Sequence, residues 1–304
     1  MPAWHAVQPA ASTTSGVPRE KSARAKTQDT IRPPAARLAA PQVNLAAMQS
    51  LLTILCGSVV GFSLGLIGGG GSILAVPLLL YVVGVRDPHV AIGTSAFAVG
   101  INAIVNLIGH WRRGNVKWPC AAAFASAGVL GAFAGSTLGK AVNGEKLLFL
   151  FAFVMIAVGI AMLRPRAGEG DPTVRLNPAI AARLLSVGFV TGAISGFFGI
   201  GGGFLIVPGI MLGSGMPILN AIGSSLFSVG AFGLTTAANY AVSGLIDWGI
   251  AVKFVVGGAL GGLAGVGLAT RLGAHRRTLS VTFACVIFVV AAYMLLRTGA
   301  ALRS

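Results

Sequence analysis

The feature that most constrains this chain is a glycine-rich apolar stretch that occurs twice. GFSLGLIGGGGSILAVPLL spans residues 61–79, and GAISGFFGIGGGFLIVPGI spans residues 192–210. The matching glycines and prolines are Gly61 with Gly192, Gly65 with Gly196, Gly68 with Gly199, Gly70 with Gly201, Gly71 with Gly202, and Pro77 with Pro208. Chance does not place six such pairs in register, so the chain contains an internal duplication.

The duplication extends well beyond the glycines. AIGTSAFAVG at 91–100 returns as AIGSSLFSVG at 221–230, and Trp118 is matched by Trp248. A polar stretch with three prolines separates the two copies. We therefore predict a disordered basic tail at 1–47, a first membrane repeat at 48–164, a linker at 165–183 and a second membrane repeat at 184–299.

Composition predicts that both repeats lie in a membrane. The chain is 55% apolar and 10% charged, with a mean hydropathy of +0.85, whereas soluble domains carry about 25% charged residues. We expect an all-α, polytopic integral membrane protein of the plasma membrane. The predicted segments are 48–67, 72–85, 91–109, 118–139 and 147–163 in the first repeat, and 184–200, 204–216, 218–242, 248–269 and 279–296 in the second.

Basic residues indicate how the repeats are oriented. Basic residues cluster in the loop with Arg112, Arg113 and Lys117, in the linker, and in the stretch with Arg271, Arg276 and Arg277. If all three are cytoplasmic, each repeat crosses the membrane an odd number of times and the repeats are inverted. Ten crossings satisfy this, as do six crossings with two re-entrant pairs; eight crossings in parallel halves fit less well.

The basic tail opposes that orientation, because it would lie outside the cell. It has no apolar signal core, and Met48 opens directly onto the first apolar segment, so we expect translation to begin at Met48. The net charge of +15 does not indicate nucleic acid, because 6 of the 22 basic residues lie in the first 40 positions and most others punctuate the apolar segments. They are typical of topology signals and lipid contacts.

The glycine motifs are the candidate binding site. Glycine-rich breaks in a membrane segment need buried partners for their backbone, and the segment that restarts after a break offers unpaired N–H groups. Repeated interruptions of this kind are typical of transporter sites at a repeat interface. The predicted site residues are Gly68, Gly70, Gly71, Ser72, Gly199, Gly201, Gly202 and Gly203, with Thr94, Ser95, Asn102, Ser224 and Ser225 as neutral hydrogen-bonding side chains.

No sequence pattern indicates catalysis. All seven acidic residues fall in the tail, loops, linker or segment ends, and the three cysteines are isolated. Asn102, Asn106 and His110 share one helix face, but His110 is at a segment end and is interpreted as interfacial. We therefore expect no enzyme activity, no cofactor and no metal site.

At these residues the sequence resembles the TauE/SafE family of sulfite-exporter-type membrane permeases. The resemblance rests on the doubled glycine motif with Pro77 and Pro208 and on the AIGTS and AIGSS blocks, and it covers about residues 50–298. It implies a plasma-membrane protein, commonly of about eight transmembrane helices, that moves sulfur-containing anions. The first copy departs from the usual GIGGG, with Gly69 in place of isoleucine and Ser72 in place of the final glycine.

The leading hypothesis is a secondary transporter of a small sulfur-containing anion such as sulfite or an organosulfonate, bound where the two glycine turns meet near the middle of the bilayer. A passive anion channel and a non-transport partner subunit are the alternatives. The expected partners are membrane lipid and the anionic substrate, without nucleic acid, and a homo-oligomer stays open.

Overall fold

Helices make up the architecture of the computed structural model, which describes residues 45–163, 170–171, 174–199, 203–271 and 276–301. No strand occurs in these ranges. The helices are α1 (Leu45–Ile67), α2 (Ala75–Leu78), α3 (Pro88–Trp111), α4 (Trp118–Ala141), α5 (Gly144–Leu163), α6 (Pro178–Phe198), α7 (Gly203–Ser214), α8 (Ile218–Val242), α9 (Trp248–Arg271) and α10 (Arg276–Ala301). A 3-10 stretch, Gly69–Leu74, precedes α2, and a π-helical turn, Leu79–Val83, follows it. The tail predicted at 1–47 lies outside the described residues as far as position 44.

Most predicted segments match one helix to within a few residues. The segment predicted at 72–85 is instead divided among 3-10, α-helical and π-helical stretches, and the largest shift of a helix start is in α6. It begins at Pro178, inside the stretch expected to be linker, because Asn177 caps it. The Asn177 side chain accepts a hydrogen bond from the Ile180 N–H (2.8 Å). Proline suits the first helical position because it has no backbone N–H that would be left unpaired there. Asp87 and Pro88 start α3 in the same way.

Two short segments run back along the helices that precede them. Residues 69–83, here called the first return segment, begin beside Ser63 near the end of α1. They end where the Gln49 side chain, near the start of α1, donates a hydrogen bond to the Val83 carbonyl (3.2 Å). The second return segment is α7, whose Gly213 lies against Leu184 of α6. The first return segment therefore extends along most of the length of α1.

Glycines join each half to the other along two seams. Gly57, Gly61 and Gly65 of α1 meet the backbone carbonyls of Phe254, Gly258 and Gly262 of α9. At the equivalent positions, Gly188, Gly192 and Gly196 of α6 meet the carbonyls of Phe124, Gly128 and Ala132 of α4. A β-carbon at any of these six glycines would collide with its carbonyl, so only glycine permits this approach. The repeats are therefore interlocked, since every seam pairs one helix from each.

Equivalent helices of the two repeats run antiparallel where they touch. Gly93 of α3 packs against Tyr240 of α8, and Gly100 packs beside Gly233. α5 and α10 also pack together, and Gly159 near the end of α5 meets Phe288 near the middle of α10. Antiparallel contact between repeat-related helices is what an inverted repeat requires. Which face of the membrane each loop occupies stays a prediction.

The outer surfaces of the bundle are apolar. Leu130 and Leu138 of α4 and Leu260 and Leu263 of α9 are each more than three-fifths exposed. Seven helices in the described residues are long and apolar enough to span a bilayer by length and composition. Exposed leucines on such helices suit hydrocarbon rather than water. The chain is a multi-pass, all-α membrane protein.

Candidate functional site

The first glycine turn ends α1 and redirects the chain. Gly68 has a φ of 77°, a conformation that favours glycine, and its carbonyl accepts a hydrogen bond from the Gly71 N–H (3.4 Å). A β-carbon at Gly68 would lie 3.0 Å from Ile222 and 3.3 Å from the Ser225 hydroxyl of α8. Gly71 packs against the end of α1, and Ser72 is fully buried. The first turn therefore lies against the N-terminal part of α8.

The second glycine turn repeats this arrangement against α3. Gly199 has a φ of 65° and ends α6 with its N–H bonded to the Gly196 carbonyl (3.1 Å). A β-carbon there would collide with Ile92, the repeat counterpart of Ile222. Gly201 and Gly202 lie outside the described residues, and Gly203 is the buried first residue of α7.

Gly68 and Gly199, the two left-handed glycines of the turns, lie apart. Because α3 and α8 are antiparallel, the partners of Gly68 and Gly199 lie toward opposite ends of that pair. Ile222 and Tyr240, which is near Ile92, are about 27 Å apart along α8. What the structure does bring together is the stretch after the first turn and the second return segment, since Gly69–Leu74 packs against α7.

Four of the predicted hydroxyls hold backbone groups. Thr94 accepts a hydrogen bond from the Asp247 N–H and Ser224 accepts one from the Lys117 N–H, both at 2.9 Å. These equivalent contacts fasten the α8–α9 and α3–α4 loops. Ser95 and Ser225 donate to the carbonyls of the third residue before each, at 2.9 and 2.8 Å. All four are buried, and they keep the ends of α3 and α8 in place beside the turns.

Asn102 differs from the other predicted side chains. It is 0% exposed, and neither its amide nitrogen nor its oxygen has a hydrogen-bond partner. Asn106, one turn further along α3, is 2% exposed; its amide donates to the Asn102 carbonyl (2.9 Å), while its oxygen has no partner. The spacing of four residues in the sequence was the signal for Asn106, which the predicted site did not include.

The amides lie at the contact of three helices. Asn102 packs against Gly258 of α9, and the Asn106 oxygen lies beside Gly262 of α9 and Gly65 of α1. Further along the same face, the His110 ring nitrogen Nε2 lies 3.3 Å from the Gly65 carbonyl. The face thus continues from the middle of α3 toward the basic α3–α4 loop.

The second repeat fills the equivalent place with aromatic rings. Phe232, the counterpart of Asn102, stacks on Phe124 with ring centroids 6.1 Å apart. It packs against Gly128, the counterpart of Gly258. Gly128 and Gly258 therefore occupy equivalent positions, yet one faces an aromatic ring and the other an amide. The side chains at this position therefore differ between the two repeats, although the helices around them are equivalent.

A polar cluster at the ends of α4 and α8 was not predicted. The Lys140 ammonium donates to the Asn239 carbonyl and side-chain oxygens and to the Ser243 hydroxyl, at 2.8–2.9 Å. Asn239 in turn donates to the hydroxyls of Ser136 and Thr137. The sequence analysis interpreted the basic residues between apolar segments as topology signals, and only the packing of α4 on α8 reveals the partners of Lys140.

Comparison with known proteins gives a consistent result. The family model described as sulfite exporter TauE/SafE matches residues 53–294. A "probable membrane transporter protein" of Xylella fastidiosa is 52% identical over 84% of this chain and 98% of its own length. The "probable membrane transporter protein YunE" of Bacillus subtilis is 26% identical over 73% of this chain and 89% of its own. No solved structure matches significantly.

The match covers both repeats, both seams and both glycine turns, and the predicted resemblance is confirmed. The chain belongs to the TauE/SafE sulfite exporter family and is a multi-pass membrane transporter of the plasma membrane.

Proposed function

We propose that this protein is a secondary transporter of a small sulfur-containing anion such as sulfite or an organosulfonate. The observation that carries the proposal is the character of the buried polar side chains. Among the described residues they are serines, threonines, two asparagines and one histidine, without a carboxylate, ammonium or guanidinium group. Neutral donors can hold an anion without a fixed positive charge that would retard its release. The family description supplies the sulfur chemistry.

The proposed binding groups are peptide N–H groups of the glycine turns and one side chain of α3. Gly70, Gly71 and Ser72 lie in the stretch that packs against α7, whose first residue is Gly203. Gly201 and Gly202, the proposed groups that precede Gly203, lie outside the described residues. Asn102 supplies an amide from α3. Gly68 and Gly199 shape the turns, and Thr94, Ser95, Ser224 and Ser225 support the helix ends rather than facing the substrate.

Transport then follows from movement between the halves. Each glycine seam joins one helix of the first repeat to one of the second, so a rocking movement along both seams would expose the site first to one side and then to the other. The partners proposed are membrane lipid and the anion, without nucleic acid, and catalysis forms no part of the proposal. A homo-oligomer remains compatible with it.

Counterflow of radiolabelled sulfite in proteoliposomes tests the proposal. We expect saturable exchange that unlabelled sulfite and organosulfonates compete for. Gly70→Val should lower exchange at least tenfold, because a branched side chain crowds the N–H groups there. Gly267→Ala is the control, since Gly267 is in α9 and nothing lies within 4 Å of a β-carbon at that position. Conductance without saturation would indicate a channel, and no flux from folded protein would remove the substrate class.

A further inference from the structure

We propose that a cavity at one end of the bundle binds the head group of a phospholipid that carries a primary amine, as phosphatidylethanolamine does. Two arginines, Arg86 and Arg297, hold the phosphate, and Glu145 holds the ammonium group. The cavity lies at the far end of the first return segment from the first glycine turn. The inference is therefore independent of the proposed transport of sulfur-containing anions.

The first step is the cavity itself, which is here called the head-group cavity. It has a volume of about 300 Å³ and lies where the end of the first return segment, the starts of α3 and α5 and the end of α10 come together. Arg86, Glu145 and Arg297 line it, together with apolar side chains of the first return segment and of α5. This volume is at the lower limit of ligand pockets, so it suits a head group rather than a large solute.

The second step is the charge of the lining. Within the described residues, neither Arg86, Arg297 nor Glu145 has an oppositely charged partner within 4 Å. Guanidinium groups bind phosphate oxygens through paired N–H donors, and a carboxylate accepts hydrogen bonds from an ammonium group. Glu145 would repel a purely anionic ligand, and the arginines would repel a purely cationic one. A ligand that joins one phosphate to one ammonium group gives all three side chains a partner.

The third step is the way in which Arg297 is held. Its Nε donates a hydrogen bond to the Tyr293 hydroxyl (3.2 Å), and its guanidinium carbon lies 5.9 Å from the centre of the Tyr293 ring. Tyr293 packs edge-on against Tyr81 of the first return segment, with ring centroids 5.0 Å apart. These contacts orient the guanidinium group through Nε alone, so both of its terminal nitrogens remain for the phosphate.

The fourth step is the position of the cavity relative to the membrane. Arg86 follows the first return segment, Glu145 is the second residue of α5, and Arg297 is near the end of α10. Charged residues and tyrosines at the ends of apolar spans lie at the level of lipid head groups.

An apolar face of α10 leads from this level toward the middle of the helix. Val289, Tyr293 and Leu296 are all exposed, Val289 and Leu296 by at least 70%, and spacings of four and three residues place them on one side of the helix. Acyl chains can lie along this face while the attached head group enters the cavity. The continuous apolar face is the observation that favours a lipid over a free phosphate ester.

Lipid binding to the native protein, measured by native mass spectrometry in detergent, tests the assignment. Phosphatidylethanolamine, phosphatidylglycerol and phosphatidylcholine with the same acyl chains are compared with soluble phosphoethanolamine. We expect phosphatidylethanolamine to bind about fivefold more tightly than the other two lipids, because glycerol has no amine and choline has no N–H for Glu145. Phosphoethanolamine should bind more weakly than its lipid. Equal affinity for the three lipids, or for phosphoethanolamine and its lipid, overturns the inference.

Substitutions then test the residues by the pattern of lipids that each one affects. Glu145→Gln should remove the preference for phosphatidylethanolamine and leave phosphatidylglycerol binding as tight as before or tighter. Arg297→Gln should weaken binding of all three lipids about fivefold, because the phosphate is common to them. Lys146→Gln is the matched control, since Lys146 is exposed and does not line the cavity, and the preference should persist. A Glu145→Gln protein with an unchanged preference contradicts the assignment.

Discussion

Gly61→Ala is expected to lower the free energy of unfolding by about 3 kcal/mol or more, because the added methyl group meets backbone rather than a movable side chain. A β-carbon at Gly61 would overlap the Gly258 carbonyl oxygen, and the neighbouring Cα and carbonyl carbon lie 2.5 Å away. The two helices would have to separate along the whole seam. Gly192→Ala should have the same effect, since Gly192 meets the Gly128 carbonyl in the equivalent seam.

The matched control is Gly267→Ala in α9. Nothing lies within 4 Å of a β-carbon at that position, so the substitution should leave stability unchanged or raise it by about 1 kcal/mol through better helix propensity. Thermal unfolding in detergent, followed by tryptophan fluorescence, measures both variants. Equal melting temperatures for Gly61→Ala and Gly267→Ala would show that the seam is not closely packed.

Gly199→Ala is the second substitution with a large expected effect. It should lower both the melting temperature and the rate of sulfite exchange. Gly199 combines a φ of 65° with a position where a β-carbon would overlap Ile92. The left-handed conformation alone costs an alanine roughly 1 kcal/mol, and the collision adds to that cost. Gly215→Ala separates the two effects, because Gly215 has a φ of 73° but open space around it.

Ile92→Ala should partly rescue Gly199→Ala, because the side chain that collides with the new methyl group is removed. In a double-mutant cycle this appears as a favourable coupling of roughly 0.5–3 kcal/mol, measured from the melting temperatures of the native protein, both single variants and the double variant. Sulfite exchange should recover in parallel. Additive destabilisation, without coupling, would mean that Gly199 does not touch Ile92 in the folded protein.

Much of the fold could be predicted from the sequence because membrane segments are long, apolar and bounded by polar residues. The bounds of α8 are those predicted, and α4 differs only at its C-terminal end. The start of α6 was harder to predict than the other helix starts, because Asn177 and Pro178 are residues typical of a polar loop. They begin a helix because the Asn177 side chain caps its first turn. Capping is a local contact that a count of prolines does not reveal.

The site was less predictable, because repeat symmetry hides two things. The sequence pattern predicted the same role for Thr94 and Asn102. In the structure the Thr94 hydroxyl accepts a hydrogen bond from the Asp247 N–H, whereas the Asn102 amide has no hydrogen-bond partner. The sequence pattern also suggested that equivalent turns meet, whereas antiparallel helices separate Gly68 from Gly199. The burial and the hydrogen-bond partners of these side chains depend on how the two repeats pack together, and a single stretch of sequence does not reveal that packing.

Inversion of the two repeats is the claim on which alternating access depends, and sidedness tests it directly. Arg112 and Val242 are equivalent positions in the two repeats, both are exposed, and Val242 is 90% exposed. Single cysteines placed there, in protein whose Cys56, Cys120 and Cys285 are replaced, are labelled with a membrane-impermeant maleimide in bacterial cells. The account predicts that Val242→Cys is labelled in intact cells and Arg112→Cys only after permeabilisation. Labelling of both from the same side would contradict it.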